Sequence, residues 1–154
     1  MKNFCLLILA ISFCFSSYAQ YVDLGLPSGT KWKSVNEAGD KNGFYTYDEA
    51  IKAFGNKLPT KKQCKELIDK CKLEWQKDEK TYKVTGANGN FIILPAAGYR
   101  DCGGDVDGVG SYGHYWSSTP GDLVTAWSLY FNSGGVYESP NDRCSGQPVR
   151  LVQD

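Results

Sequence analysis

Three groups of residues in this chain have the types and spacing to do chemistry. Asp101, Asp105 and Asp107 are clustered among Gly103, Gly104 and Gly108. Carboxylate oxygens on a flexible loop suit calcium, so the cluster is a weak calcium candidate. Its spacing is not that of an EF-hand, and a solvated acidic turn is the preferred reading. His114 is the one histidine. No Gly-x-Ser-x-Gly nucleophile motif accompanies it, so a structural role is expected and no catalytic residue is assigned. The third group is the cysteines, whose chemistry depends on which of them the finished protein keeps.

Cys5 and Cys14 lie in a segment with the grammar of a secretory signal: a short n-region with Lys2, an apolar run from Phe4 to Phe15, and small residues at Ser17 and Ala19. Such a run is too short to span a bilayer. Residues 1–19 are therefore expected to be a signal peptide and residues 20–154 a single exported domain, in the periplasm, at the cell surface or secreted. No later run is apolar enough for membrane insertion. Export permits disulfides, and four cysteines remain. Cys64 and Cys71 fall on one expected helix, roughly 10 Å apart at ~1.5 Å rise per residue, whereas a disulfide needs Cα atoms about 4.4–6.8 Å apart. That leaves a single Cys102–Cys144 bond with two buried thiols, which is preferred, or two bonds from the helix to the loop cysteines.

The charges balance, 17 basic against 17 acidic, and losing Lys2 tips the balance slightly negative. No basic excess is available to neutralise phosphates, so nucleic acid is not an expected partner. Aromatic residues make up 14% of the chain, enough for both core and contact surface.

The elements that must position these groups are short. Tyr21–Leu26 and Thr30–Val35 flank Pro27-Ser28-Gly29 as a hairpin. Thr46 with Glu49, and Thr60 with Gln63, form capping boxes that open helices at Tyr47 and Lys61; Gly55 suits the end of the first. Cys64, Leu67, Ile68 and Cys71 make an apolar stripe on the second, and its lysines and acids make a solvated face. Leu73–Gln76, Thr81–Thr85 and Asn90–Leu94 read as strands, the last two joined through Asn88-Gly89. A long loop follows to Tyr112. Tyr115–Ser118, Thr125–Asn132, Val136–Glu138 and Val149–Val152 read as further strands. Alternation puts Trp127, Leu129 and Phe131 on one face and Ser128 and Tyr130 on the other; Trp32, Trp75, Trp116 and Trp127 are expected inside. The order implies an α+β fold, two short helices packed on antiparallel sheet with a long loop region.

Several segments carry a family resemblance. Tyr21-Val22-Asp23-Leu24-Gly25-Leu26-Pro27-Ser28-Gly29-Thr30-Lys31-Trp32, Leu58-Pro59-Thr60-Lys61, Glu66-Leu67-Ile68, Leu94-Pro95-Ala96-Ala97-Gly98-Tyr99-Arg100, Gly110-Ser111-Tyr112-Gly113, Tyr115-Trp116-Ser117-Ser118 and Val149-Arg150 resemble, in order, the Fibrobacter succinogenes major paralogous domain. The resemblance implies a C-type-lectin-like fold, with both termini in one sheet and a long loop region on one side. Family members are exported and often surface-associated. The chain lacks a lectin Glu-Pro-Asn triplet, and the stretch from Trp32 to Leu58 is shorter than is usual in the family. Cys102 and Cys144 stand where the family usually has other residues, which favours their pairing with each other.

In such a fold, Asp122–Thr125 and Tyr137–Arg143, read as turns, would approach the same exposed face as the long loop. Tyr, Asn, Ser and Arg suit contact surfaces. The expectation is a non-catalytic binding module for an extracellular protein or glycan, using Tyr112, Asp122, Thr125, Tyr137, Asn141, Asp142 and Arg143. It needs no cofactor beyond the weak calcium candidate. Kinship with formylglycine-generating enzymes, which use a reactive cysteine pair, supplies an alternative reading, and a cell-surface assembly protein another.

Overall fold

A computed structural model describes residues 20–38 and 43–154; the expected signal peptide, with Cys5 and Cys14, lies outside the described residues. The helices form where their caps place them. In α1 (Tyr47–Phe54) and α2 (Lys61–Lys70), Thr46 and Thr60 accept from the amides of Glu49 and Gln63, and those side chains accept from the cap amides in return. A further free amide at the start of α2, that of Lys61, donates to Thr119 Oγ1 at 2.9 Å. Cys64 and Leu67 are buried, with Ile68 and Cys71 packed beside them.

Strands β1 (Tyr21–Asp23) and β2 (Lys31–Lys33) pair antiparallel. The chain's last strand, β11 (Val152–Gln153), pairs with the other side of β2, so both ends of the domain share one sheet. A meander of β3 (Lys72–Gln76), β4 (Thr81–Thr85) and β5 (Phe91–Pro95) makes a second sheet. The third is a meander of β8 (Gly113–Pro120), β9 (Thr125–Asn132) and β10 (Gly135–Asp142), with β9 central. The long loop is not structureless: β6 (Tyr99–Arg100) and β7 (Val106–Asp107) form a small ribbon within it. The result is mostly antiparallel sheet with two short helices, an α+β architecture. No helix among the described residues is long and apolar enough to cross a membrane.

The β8–β9–β10 sheet separates two cores. Tyr115, Leu129 and Phe131 join Trp32, Cys64, Leu67, Tyr82 and Leu94 on one face. Trp116 and Ala126 face the other way, toward Tyr47, Ala50, Leu58, Val149 and Leu151. Gly113 is required where β8 crosses Phe131, because a Cβ there would overlap the ring.

Several sequence expectations need correction. Asn141 and Asp142 are not in a turn but in β10, whereas Tyr137 and Thr125 lie in β10 and β9 as the strand readings Val136–Glu138 and Thr125–Asn132 expect. Pairing with β9 extends β10 well past Glu138. Only Val152 and Gln153 of the last segment form a strand. Trp127 is half-buried, because Lys61 Nζ lies 3.0 Å above its ring in place of core atoms. Trp75, on the outer strand of its sheet, is also half-buried, packed on Tyr82.

Candidate functional site

Register decides what stands beside what. Tyr130 lies directly opposite His114 of β8 and Tyr137 of β10, Ser128 opposite Ser139, and Ala126 opposite Asn141. Cross-strand partners share a face, as do residues two apart. All of these side chains therefore stand on the sheet face that carries Trp116. One end of that face is roofed by α1 and the C-terminal segment. The other end is open, with Tyr112 39% and Tyr137 49% exposed.

Here the aromatic rings form a row. Tyr99 packs on His114 at 5.0 Å, and His114 on Tyr130 at 4.9 Å. Tyr130 is flanked by Tyr112 at 6.1 Å and by Tyr137 at 6.2 Å, with interplanar angles of 35° and 26°. Two glycines make room for the outer rings. A Cβ on Gly108 would overlap Tyr112, and one on Gly135 would stand 2.6 Å from Tyr137 Oη. The backbone of Tyr112 is held on both sides, its amide donating to Gly108 O at 2.8 Å and its carbonyl accepting from Gly98 at 2.8 Å. Polar groups edge the row. Asn132 Nδ2 donates to Tyr130 Oη at 2.9 Å, and Asn141 Nδ2 donates to Ser128 Oγ at 2.7 Å.

His114 is 8% exposed, and its Nδ1 has no hydrogen-bond partner among the described residues. Burial pushes its pKa down to about 4, so the imidazole is neutral at ordinary pH. The unfolded chain takes up a proton near pH 6.5 and the folded one does not. Stability is thus complete above that pH and falls as the pH drops toward 4. The expected loss is about 3 kcal/mol. Urea titrations at stepped pH would read it, and His114→Phe should flatten the profile between pH 5 and 6.5; an unchanged slope in that variant would refute the assignment.

Cys102 is bonded to Cys144, with Cα atoms 5.1 Å apart. Beside it, Arg100 and Gly146 exchange backbone hydrogen bonds of 2.8 and 2.7 Å, so the β6–β7 ribbon is anchored to the chain just after β10. Cys64 and Cys71 are free. Burial raises their thiol pKa values to about 12 and about 11, which leaves them protonated and unreactive. The ribbon's carboxylates serve the ribbon: Asp101 Oδ1 accepts from the Asp105 amide at 2.9 Å and Asp107 Oδ1 from Gly108 at 2.7 Å. Among the described residues no three His, Cys, Asp or Glu side chains gather as a metal-binding group.

The structure thus divides the expected contact residues. Tyr112 and Tyr137 share the open end of the face, and Asn141 stands on the same face opposite Ala126, toward its roofed end. Asp122 and Thr125 are instead the fastening of the β8–β9 turn, where Asp122 Oδ1 accepts from the Val124 amide (2.9 Å), the Thr125 amide (2.8 Å) and the Thr125 hydroxyl (2.9 Å). Those donors, the Val124 amide foremost, hold the Asp122 carboxyl below its ordinary pKa. Arg143 is ion-paired with Asp48 and stacked over Tyr47, and the exposed Asp142 closes β10. Sequence reading missed Tyr130, Asn132 and Ser139. Their signal was present in the alternation of β9, but it acquires meaning only through the pairing with β10.

The family model for a domain of unknown function, DUF8237, matches residues 69–152, more than half of the chain. The chain belongs to this family. The DUF8237 match begins inside α2 and ends in β11, so it includes the tyrosine row, its polar border and the disulfide, whereas β1, β2 and α1 precede it. Among curated proteins and among solved structures nothing matches the chain.

Proposed function

We propose that this domain is an exported, non-catalytic binding module that recognises a protein or glycan outside the cell. The observation that carries the proposal is the open row of Tyr112, Tyr130 and Tyr137, bordered by Asn132, Ser139 and Asn141 on a rigid sheet. Tyrosine supplies large contact area at little entropic cost, and amides and hydroxyls adapt to varied polar partners. A C-type-lectin-like arrangement and membership of the Fibrobacter-type paralogous domain belong to the same proposal. They are supported by the sharing of one sheet by both chain ends and by the loop region of residues 96–112 lying beside the β8–β9–β10 sheet. An enzyme of the formylglycine-generating type would need a reactive cysteine pair, and Cys102 and Cys144 are bonded to each other.

A screen of the wild-type domain against a glycan array and against a panel of extracellular proteins tests the reading. Tyr112→Ala with Tyr137→Ala should weaken whatever is captured at least about tenfold, since central aromatic contacts dominate interface energies. Binding that survives both substitutions undiminished would dismiss the site.

A further inference from the structure

Beside Tyr112 the open face runs into a groove of about 670 Å³ between the β3–β4 turn, the loop ahead of β8 and the β9–β10 turn. Its walls include Trp75, Tyr112, Asn132 and Ser133, together with Lys77 and Lys80, and among the described residues no acidic side chain lines it. Aromatic rings with amide and hydroxyl groups suit the alternating apolar and hydroxylated faces of a sugar ring. Two ammonium groups without a facing carboxylate suit an anion on that sugar.

Lys80 supplies an independent observation. Among the described residues it is the one non-glycine with a positive φ, 54°. That position in a short hairpin turn ordinarily goes to glycine or asparagine. A lysine there is held against the preference of its own backbone, a pattern that concentrates at functional sites. Its side chain lies along Gly110, whose Cβ, if present, would be 3.6 Å from Lys80 Cγ, next to the loop that presents Tyr112.

We infer that this groove binds an acidic saccharide, with Lys77 and Lys80 meeting its carboxylate or sulfate group and Trp75 and Tyr112 flanking its ring. The inference rests on the binding-module reading and names the ligand class.

Calorimetric titration of the purified domain with heparin (sulfate), polygalacturonate (carboxylate), dextran (neutral) and poly-glutamate (an acidic peptide) tests it. Binding is expected for heparin or polygalacturonate, and which of them binds identifies the anion. Dextran and poly-glutamate should bind at least about tenfold more weakly. The Lys77→Gln/Lys80→Gly double variant should lose at least about tenfold in affinity for the acidic polymer, the loss expected for removing charged hydrogen bonds. Glycine at position 80 keeps the backbone conformation, and near-UV circular dichroism checks that the variant is folded. Equal binding of dextran, equal binding of poly-glutamate, or an unaffected double variant would each overturn the inference. A partner captured through Tyr137 while both acidic polysaccharides fail to bind would overturn it and leave the binding module standing. Capture indifferent to Tyr112 and Tyr137 would remove both.

Discussion

Replacing Arg150 with methionine should lower the stability of the domain by about 3 kcal/mol and its melting temperature by roughly 10 °C. Arg150 is 1% exposed. Its Nε donates to Asn36 Oδ1 at 2.8 Å, and its two terminal nitrogens donate to Lys33 O at 3.0 Å and Ile93 O at 2.8 Å. One guanidinium thus joins the C-terminal segment to β2, to the stretch after it and to β5. Burial pulls its pKa down from the ordinary value, against the pull of the neighbouring Tyr115. Tyr115 extends the network by donating to Pro95 O at 2.8 Å and accepting from Asn36 Nδ2 at 3.2 Å. Methionine fills similar space and donates nothing, so the acceptors would be buried without partners. Lysine should rescue only part of the loss, because a single ammonium cannot present the planar fork that reaches three separated oxygens. Thermal melts followed by near-UV circular dichroism would measure this; a shift under about 3 °C for Arg150→Met would mean that the network is not structural.

Removing the Cys102–Cys144 bond should cost at least as much. It joins residues 42 apart in sequence, and closing a loop of that length restricts the unfolded chain by about 4 kcal/mol in the chain-entropy account. Both cysteines are exposed, so mild reductant should reach the bond in the folded protein. Denaturation curves of the reduced wild-type protein and of the Cys102→Ser/Cys144→Ser variant should agree with each other and lie well below that of the oxidised protein. Mass spectrometry of the unreduced protein, unfolded and alkylated, should find Cys64 and Cys71 labelled and the other two linked. Four labelled cysteines would contradict the pairing. The Arg100–Gly146 hydrogen bonds remain after reduction, so the ribbon should loosen rather than leave.

What the sequence made legible was local. Thr46 with Glu49 and Thr60 with Gln63 act within a single turn, so the helices begin where those residues predict. The exclusion of a Cys64–Cys71 bond used helix geometry alone and holds. Asp122 was expected to reach outward, yet a short carboxylate three residues before a threonine at a strand start is equally a turn fastener, and that role won. Arg143 reads as an exposed contact residue because its partner, Asp48, lies far away in the chain. Arg150 shows the same limit. A charged residue between Val149 and Leu151 is visible in the sequence, but the three oxygens that justify its burial come from two distant segments, residues 33–36 and β5. The tyrosine row depends on the strand register that brings Tyr137 opposite Tyr130, and residues 137–143 looked like a turn because Pro140 and Asn141 disfavour strands. An outer strand tolerates both.

The shared terminal sheet has a consequence for how such a domain can be carried. Tyr21 and Gln153 lie on the two neighbours of the same short strand, β2, opposite Lys33 and Lys31, which sets their backbones about 12 Å apart, two strand spacings across and two residues along. Any polypeptide continuing from either end departs through this one doorway. The domain is therefore built like a cassette: grafted into a surface loop of a host protein, it would ask the host to open a gap only two strands wide. Joining its ends with a short linker and cutting the chain at Asn88-Gly89 should yield a permuted protein with the same tyrosine row.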